Sequence, residues 1–267
     1  MAEGLAREGA DLALISRTER ELGKTAQQIR AMGRKVLMMP GDVSDSVSIE
    51  KFVKTILSAF DHIDILVNNA GQQPPIGCLV ECDPEDWLQT IKVNLLGPML
   101  CCKAVLPRMM ERRQGKIINL SGGGATAPRP NFSAYAASKA GVVRFTETLA
   151  EELKPFNIQV NAIAPGAINT RMLEEVLASE EKAGKLALSQ AKRQKQSGGD
   201  SLETVVELAI FLSSDDSGTL TGKLISAQHD PWRDWAGKDY QLNSTPLYTM
   251  RRLDPFTIKP LIKDLGH

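Results

Sequence analysis

Short, nearly uninterrupted apolar runs recur along this chain, at 11–15, 36–39, 63–67, 117–120, 158–163 and 223–226. Between them lie amphipathic stretches of helical length, near 18–32, 47–60, 84–95, 98–113, 133–153, 171–196 and 202–212. A strand that is apolar at consecutive positions must be covered on both faces, and strands joined through helices pair in parallel. The expected fold class is therefore α/β, a doubly wound parallel sheet with helices on both faces. Residues 2–9 read as the end of a further amphipathic helix, with Gly9 as its C-cap. Residues 171–196 read as one long polar helical stretch.

The totals narrow the partners. At 267 residues the chain is long enough for one domain with a sizeable core. Lys+Arg and Asp+Glu both number 32, which argues against a nucleic-acid partner. Lys192, Arg193 and Lys195 fit a solvated helix face. No apolar run approaches membrane-spanning length, and the N-terminus lacks a signal-peptide core. The cysteines Cys78, Cys82, Cys101 and Cys102 have no neighbouring histidine and read as reduced thiols of a cytoplasmic protein. With His62, His229 and His267 scattered, no metal site is expected. The texture changes after residue 229, giving a main domain over 1–229 and an extension over 230–267 that packs on its own or a neighbouring subunit.

The chemistry concentrates in residues 116–143, where a buried strand leads through a glycine-rich loop into a helix. On that helix Tyr135 and Lys139 are four residues apart and share a face. A phenol titrates near pKa ~10, and an adjacent cation favours its ionised form. A shift of about three units, ~4 kcal/mol, would suit it to acid–base work at neutral pH.

YAASK (135–139), NNAG (68–71), GDVSD (41–45), KVNLLG (92–97) and APGAINT (164–170) follow one another in an order that resembles the short-chain dehydrogenase/reductase family over roughly residues 1–227. The resemblance implies a Rossmann-like fold and an NAD(P)-dependent oxidoreductase acting on a secondary alcohol or ketone. It casts Tyr135 as acid/base and Lys139 as its modulator and ribose ligand. Asn94 would hold a water in a proton relay, and Ser121 would steady the substrate carbonyl. It gives a cofactor-binding set of Ser16, Arg17, Asp42, Val43, Asn69, Ala70, Gly71, Tyr135, Lys139, Pro165, Gly166, Ile168 and Thr170, with Asn68 tying neighbouring strands. A serine followed by Arg17, instead of an acid, suits the 2′-phosphate of NADP better than the ribose of NAD. The resemblance also implies a homodimer or homotetramer through helices 98–113 and 133–153, and a lid over the substrate formed by 171–200.

Two departures from the family pattern shape the expectations. The family serine lies thirteen residues before the tyrosine, where this chain has Gly122; Ser121 is one residue further away, and the N–H groups of Gly122–Gly124 offer a partial substitute. The family also opens with a strand and a TGxxxGxG turn that cradles the pyrophosphate. Residues 2–9 match the helix after that turn, so the first family strand is expected to be missing, with a slot between strands 11–15 and 63–67 and a weakened cofactor site. Two further readings stand beside the enzyme: a non-catalytic protein that keeps the fold for assembly, and a nucleotide-sugar epimerase or dehydratase sharing the YxxxK pair.

Overall fold

A computed structural model describes residues 1–254. The order of elements is α1 (Ala2–Arg7), β1 (Leu12–Ser16), α2 (Glu19–Ala31), β2 (Val36–Pro40), α3 (Ser46–Phe60), β3 (Ile65–Asn68), α4 (Pro84–Ile91), α5 (Gly97–Arg112), β4 (Gly115–Leu120), α6 (Ser133–Leu153), β5 (Ile158–Ala164), α7 (Arg171–Ala178), α8 (Lys185–Ser197), α9 (Leu202–Ser213), β6 (Leu224–Ser226) and α10 (Asp239–Asn243). Every pairing among the described strands is parallel. The strands form two pieces, β2–β1 and β3–β4–β5–β6, with no pairing between β1 and β3.

The four-stranded piece is covered on both faces. Along β4 the period of two sends Ile117 into a layer with Cys102, Val105 and Met109 of α5 and Leu149, Ala150 and Leu153 of α6. Ile118 and Leu120 face the opposite layer, where Val205, Leu208, Ala209 and Leu212 of α9 pack with Ile163 and Ile225. Burial pulls the Cys101 and Cys102 thiols up to about 11 and about 12, so both are packing groups rather than thiolates. Among the described residues the cysteines are free, and no cluster suits a metal ion. None of the described helices is long and apolar enough to cross a membrane.

Two expected helices differ in outline. The 171–196 stretch divides into α7 and α8 around a tight turn at 180–183, where Gly184 takes φ +81° and releases the chain in a new direction. Segments 84–95 and 98–113 run on through a π-helical turn at Lys92–Leu96. The extension, as far as residue 254, packs on its own domain. Trp232 and Trp235 are buried against the α9 layer, the Tyr248 carbonyl accepts a hydrogen bond from the Leu224 N–H, and buried Glu147 of α6 accepts from the Met250 N–H and Arg251. The rest of the expected extension, 255–267, lies outside the described residues.

Candidate active site

The loops after β3, β4 and β5 leave the carboxyl ends of parallel strands, where ligands bind in open α/β sheets. They line a cavity of about 2000 Å³, which also reaches the facing edges of β1 and β3. A buried polar ladder fixes the strand ends: Asn68 Nδ2 donates to Asn119 Oδ1 at 2.8 Å, and Asn119 Nδ2 to Thr146 Oγ1 of α6 at 2.9 Å. Asn68 thus ties strands together as its motif implied.

Tyr135 and Lys139 both line this cavity, on one face of α6. The Lys139 Nζ lies 5.7 Å from the Tyr135 ring centre and donates to the Leu120 carbonyl, the last of β4, at 2.7 Å. Burial lowers its pKa to about 8. Burial raises the Tyr135 pKa, and the charge that opposes this is Arg129, not Lys139. The Lys139 ammonium is turned to a backbone carbonyl, and Arg129 of the loop stands as a second cation beside the phenol ring.

A Cβ built at Gly122 would fall inside van der Waals contact with the Tyr135 hydroxyl, so a serine there would require the end of the tyrosine side chain to shift. Ser121 is buried at the cavity wall, and its hydroxyl donates to the Lys139 carbonyl at 3.5 Å, a weak bond along α6. A bond this long does not commit the Ser121 hydroxyl. The N–H groups of Gly122, Gly123 and Gly124, all at the cavity, donate to no described protein acceptor. Ser133, the first residue of α6, accepts from Trp87 Nε1 at 3.1 Å.

Asn94 sits in the π-helical turn, a distortion that often marks functional positions. Its Oδ1 accepts from the Gln72 N–H at 2.8 Å, while Nδ2 donates to the Gln72 carbonyl at 2.8 Å and to Ser138 Oγ at 2.9 Å. Both amide hydrogens are spent on protein, so the side chain staples the NNAG loop to α6. The expected water-holding role is left one Oδ1 lone pair. A Cβ at Gly71 would lie 3.5 Å from both Asn94 Oδ1 and Lys139 Nζ, which places bare backbone between them.

The cofactor set lines the same cavity: Ser16, Arg17, Asp42, Val43, Asn69, Ala70, Gly71, Pro165, Gly166, Ile168 and Thr170. Ser16 Oγ accepts from the Thr18 N–H, and Arg17 is exposed. Asp42 spends one carboxylate oxygen on the Ser44 N–H and hydroxyl and keeps the other. Gly166, at φ +88°, approaches Asp200, whose carboxylate accepts from the Ala167 N–H at 2.6 Å and anchors the 165–170 loop. Thr170 precedes α7 without a side-chain cap bond, so its hydroxyl is uncommitted.

Motif spacing passes over Arg129 and Gln73. Arg129 stands 4.0 Å over the Phe132 ring and 5.2 Å from the Tyr135 ring centre. The available signal was a lone cation in a loop otherwise of Gly, Ala, Thr and Pro. Gln73 is 2% exposed and lines the cavity, and its Nε2 has no hydrogen-bond partner.

Comparisons with known proteins agree with this geometry. The family model described as short chain dehydrogenase matches residues 1–181. The (2S)-[(R)-hydroxy(phenyl)methyl]succinyl-CoA dehydrogenase subunit BbsD of Thauera aromatica is 35% identical over 225 residues, covering 82% of this chain and 86% of that protein. The 3-oxoacyl-[acyl-carrier-protein] reductase FabG of Thermotoga maritima is 36% identical over 220 residues, covering 82% and 87%. Among solved structures, NAD+-bound xylitol dehydrogenase superposes with a TM-score of 0.79 at 27% identity, covering 84% of this chain and 90% of that one. A tryptophan variant of actinorhodin polyketide ketoreductase, solved with NADPH, gives 0.77 at 29%, covering 84% and 88%. The fold is thus the Rossmann-like α/β fold of these enzymes, and the chain belongs to the short-chain dehydrogenase family.

Proposed function

We propose that this protein is an NAD(P)-dependent oxidoreductase that interconverts a secondary alcohol and a ketone on a small molecule. The observation that carries this reading is the convergence of Tyr135, Lys139 and the Asn94-stapled NNAG loop on one cavity at the carboxyl ends of β3 and β4. The residues present fit a nicotinamide dinucleotide at both ends. Asp42 has a spare acceptor and Val43 an apolar surface for the adenine, while Gly71 leaves a cradle beside Lys139 that a side chain would fill. The bound cofactor would supply or accept the hydride. Tyr135 would exchange a proton with the substrate oxygen, Lys139 would hold the ribose, and the unspent N–H groups of Gly122–Gly124 would steady the carbonyl where a serine does not. Exposed Arg17 favours the 2′-phosphate of NADP over NAD. Relatives solved with either cofactor leave that choice to be tested on this chain.

The open edges of β1 and β3 belong to the same proposal. A further parallel strand with a phosphate-binding turn would pair both edges and complete a pyrophosphate site. A homo-oligomer through the outer faces of α5 and α6 is likewise inferred from family membership alone.

The test is Tyr135→Phe, assayed for NADPH- and NADH-linked ketone reduction beside a fluorescence titration of each cofactor. Turnover is expected to collapse while cofactor binding persists. Turnover equal to that of the unsubstituted protein would eliminate the mechanism.

A further inference from the structure

The proposed reaction leaves the charged group beside the Tyr135 ring without a role. Arg129 is the only charged residue between Ser121 and Ser138. Its guanidinium carbon lies 4.0 Å from the Phe132 ring centre and 5.2 Å from that of Tyr135, and the side chain makes no ion pair and donates no hydrogen bond to any described residue. Stacking engages only the faces of a guanidinium. The N–H donors lie in its plane, in a fork that matches a carboxylate, and they remain unspent.

The surroundings give this cation nothing to neutralise it. The cavity walls contributed by 120–139 and 164–194 contain no Asp or Glu, while Lys139, Arg171 and Lys185 add positive charge. Burial already works against the Arg129 charge. A half-buried cation without an acid partner is completed by an anionic ligand.

We infer that the substrate carries a carboxylate within a few bonds of the reacting carbon, and that the Arg129 guanidinium receives it. This rests on the proposed redox reaction for the identity of the reacting carbon. Because the guanidinium flanks the Tyr135 ring, a substrate whose oxygen meets the phenol can place a nearby carboxylate on the Arg129 edge. Arg129 is then a specificity-determining residue, and the substrate class is short oxo acids and hydroxy acids in place of neutral ketones.

The experiment compares kcat/KM for short oxo acids and their methyl esters, in the unsubstituted protein and in Arg129→Gln and Arg129→Lys. The unsubstituted protein is expected to prefer the acids. That acid-over-ester ratio should fall about 100-fold in Arg129→Gln, chiefly through KM, and recover in part in Arg129→Lys. A ratio unaltered by Arg129→Gln, or no preference for acids at the outset, overturns the inference. A calorimetric titration with succinate, and in parallel with inorganic phosphate, needs no turnover. Succinate affinity should drop at least about tenfold in Arg129→Gln, whereas equal affinity, or tighter binding of phosphate than of succinate, overturns the carboxylate assignment. Succinate binding that depends on Arg129 in a protein that turns over no ketone would sink the redox reading and leave the carboxylate site standing.

Discussion

The two pieces of the sheet are built from similar apolar runs and end up in different environments. In β4 and β5 nearly every residue is buried; in β1 all five residues remain half-buried. Leu14 and Ile15 are as apolar as Ile118 and Ile163, yet β1 has a neighbour on one side only, β2, and faces a cavity on the other. An apolar run makes a strand, and neighbouring strands make it a core. The proposed chemistry and the proposed adenine-end contacts also fall on different pieces: Tyr135, Lys139 and Asn94 lie beside the four-stranded piece, while the two-stranded piece carries Ser16, Arg17 and Asp42.

The sharpest way to break this division is at the chemistry. Tyr135→Phe should lower kcat about 10³-fold, with the cofactor dissociation constant changed less than about twofold. Cofactor binding lost in parallel would mean that the two halves do not divide the work. Truncation then measures the packing contrast. Ile163→Ala, in the doubly covered piece, should cost about 3–4 kcal/mol in urea denaturation, against about 1–2 kcal/mol for Leu14→Ala. Equal costs would show that the β1 edge is covered in solution.

The pH dependence of stability probes the buried ammonium. The folded pKa of Lys139 is about 8 and that of an unfolded lysine about 10.4, so between them the unfolded chain binds more protons. Stability should therefore rise as pH climbs from about 8 toward 10, with the full penalty present below 8. Lys223, also lowered to about 8, contributes with the same sign. Lys139→Met should remove about 2 kcal/mol of that rise, measured from denaturation midpoints at pH 8 and pH 10. An unaltered slope would mean that Lys139 is solvated. The smallest effect belongs to the two-stranded piece: Arg17→Ala should raise KM for NADPH about 10-fold and leave that for NADH nearly alone. Equal effects on both cofactors would remove the 2′-phosphate role.

Much of this was legible in the residues. The apolar runs marked all six described strands, and YAASK, NNAG and KVNLLG marked segments that meet, with Asn94 bonded to Ser138 and to Gln72 next to the NNAG motif. What stayed hidden depends on contacts between distant segments. The break between α7 and α8 turns on the positive φ of Gly184, which composition does not distinguish from a glycine within a polar helix. The Asn94 side chain is committed by Gln72 and Ser138, residues 22 and 44 positions away. The orientation of Lys139 is set by a carbonyl of β4, and the importance of Arg129 by the two rings it lies against. Neither can be counted from spacing.

The close fit between Gly122 and the Tyr135 hydroxyl has a historical side. Restoring the family's serine at position 122 is a single-codon change, yet the new side chain would arrive where the phenol already stands. Position 122 can therefore gain a hydroxyl only together with a shift of the Tyr135 ring.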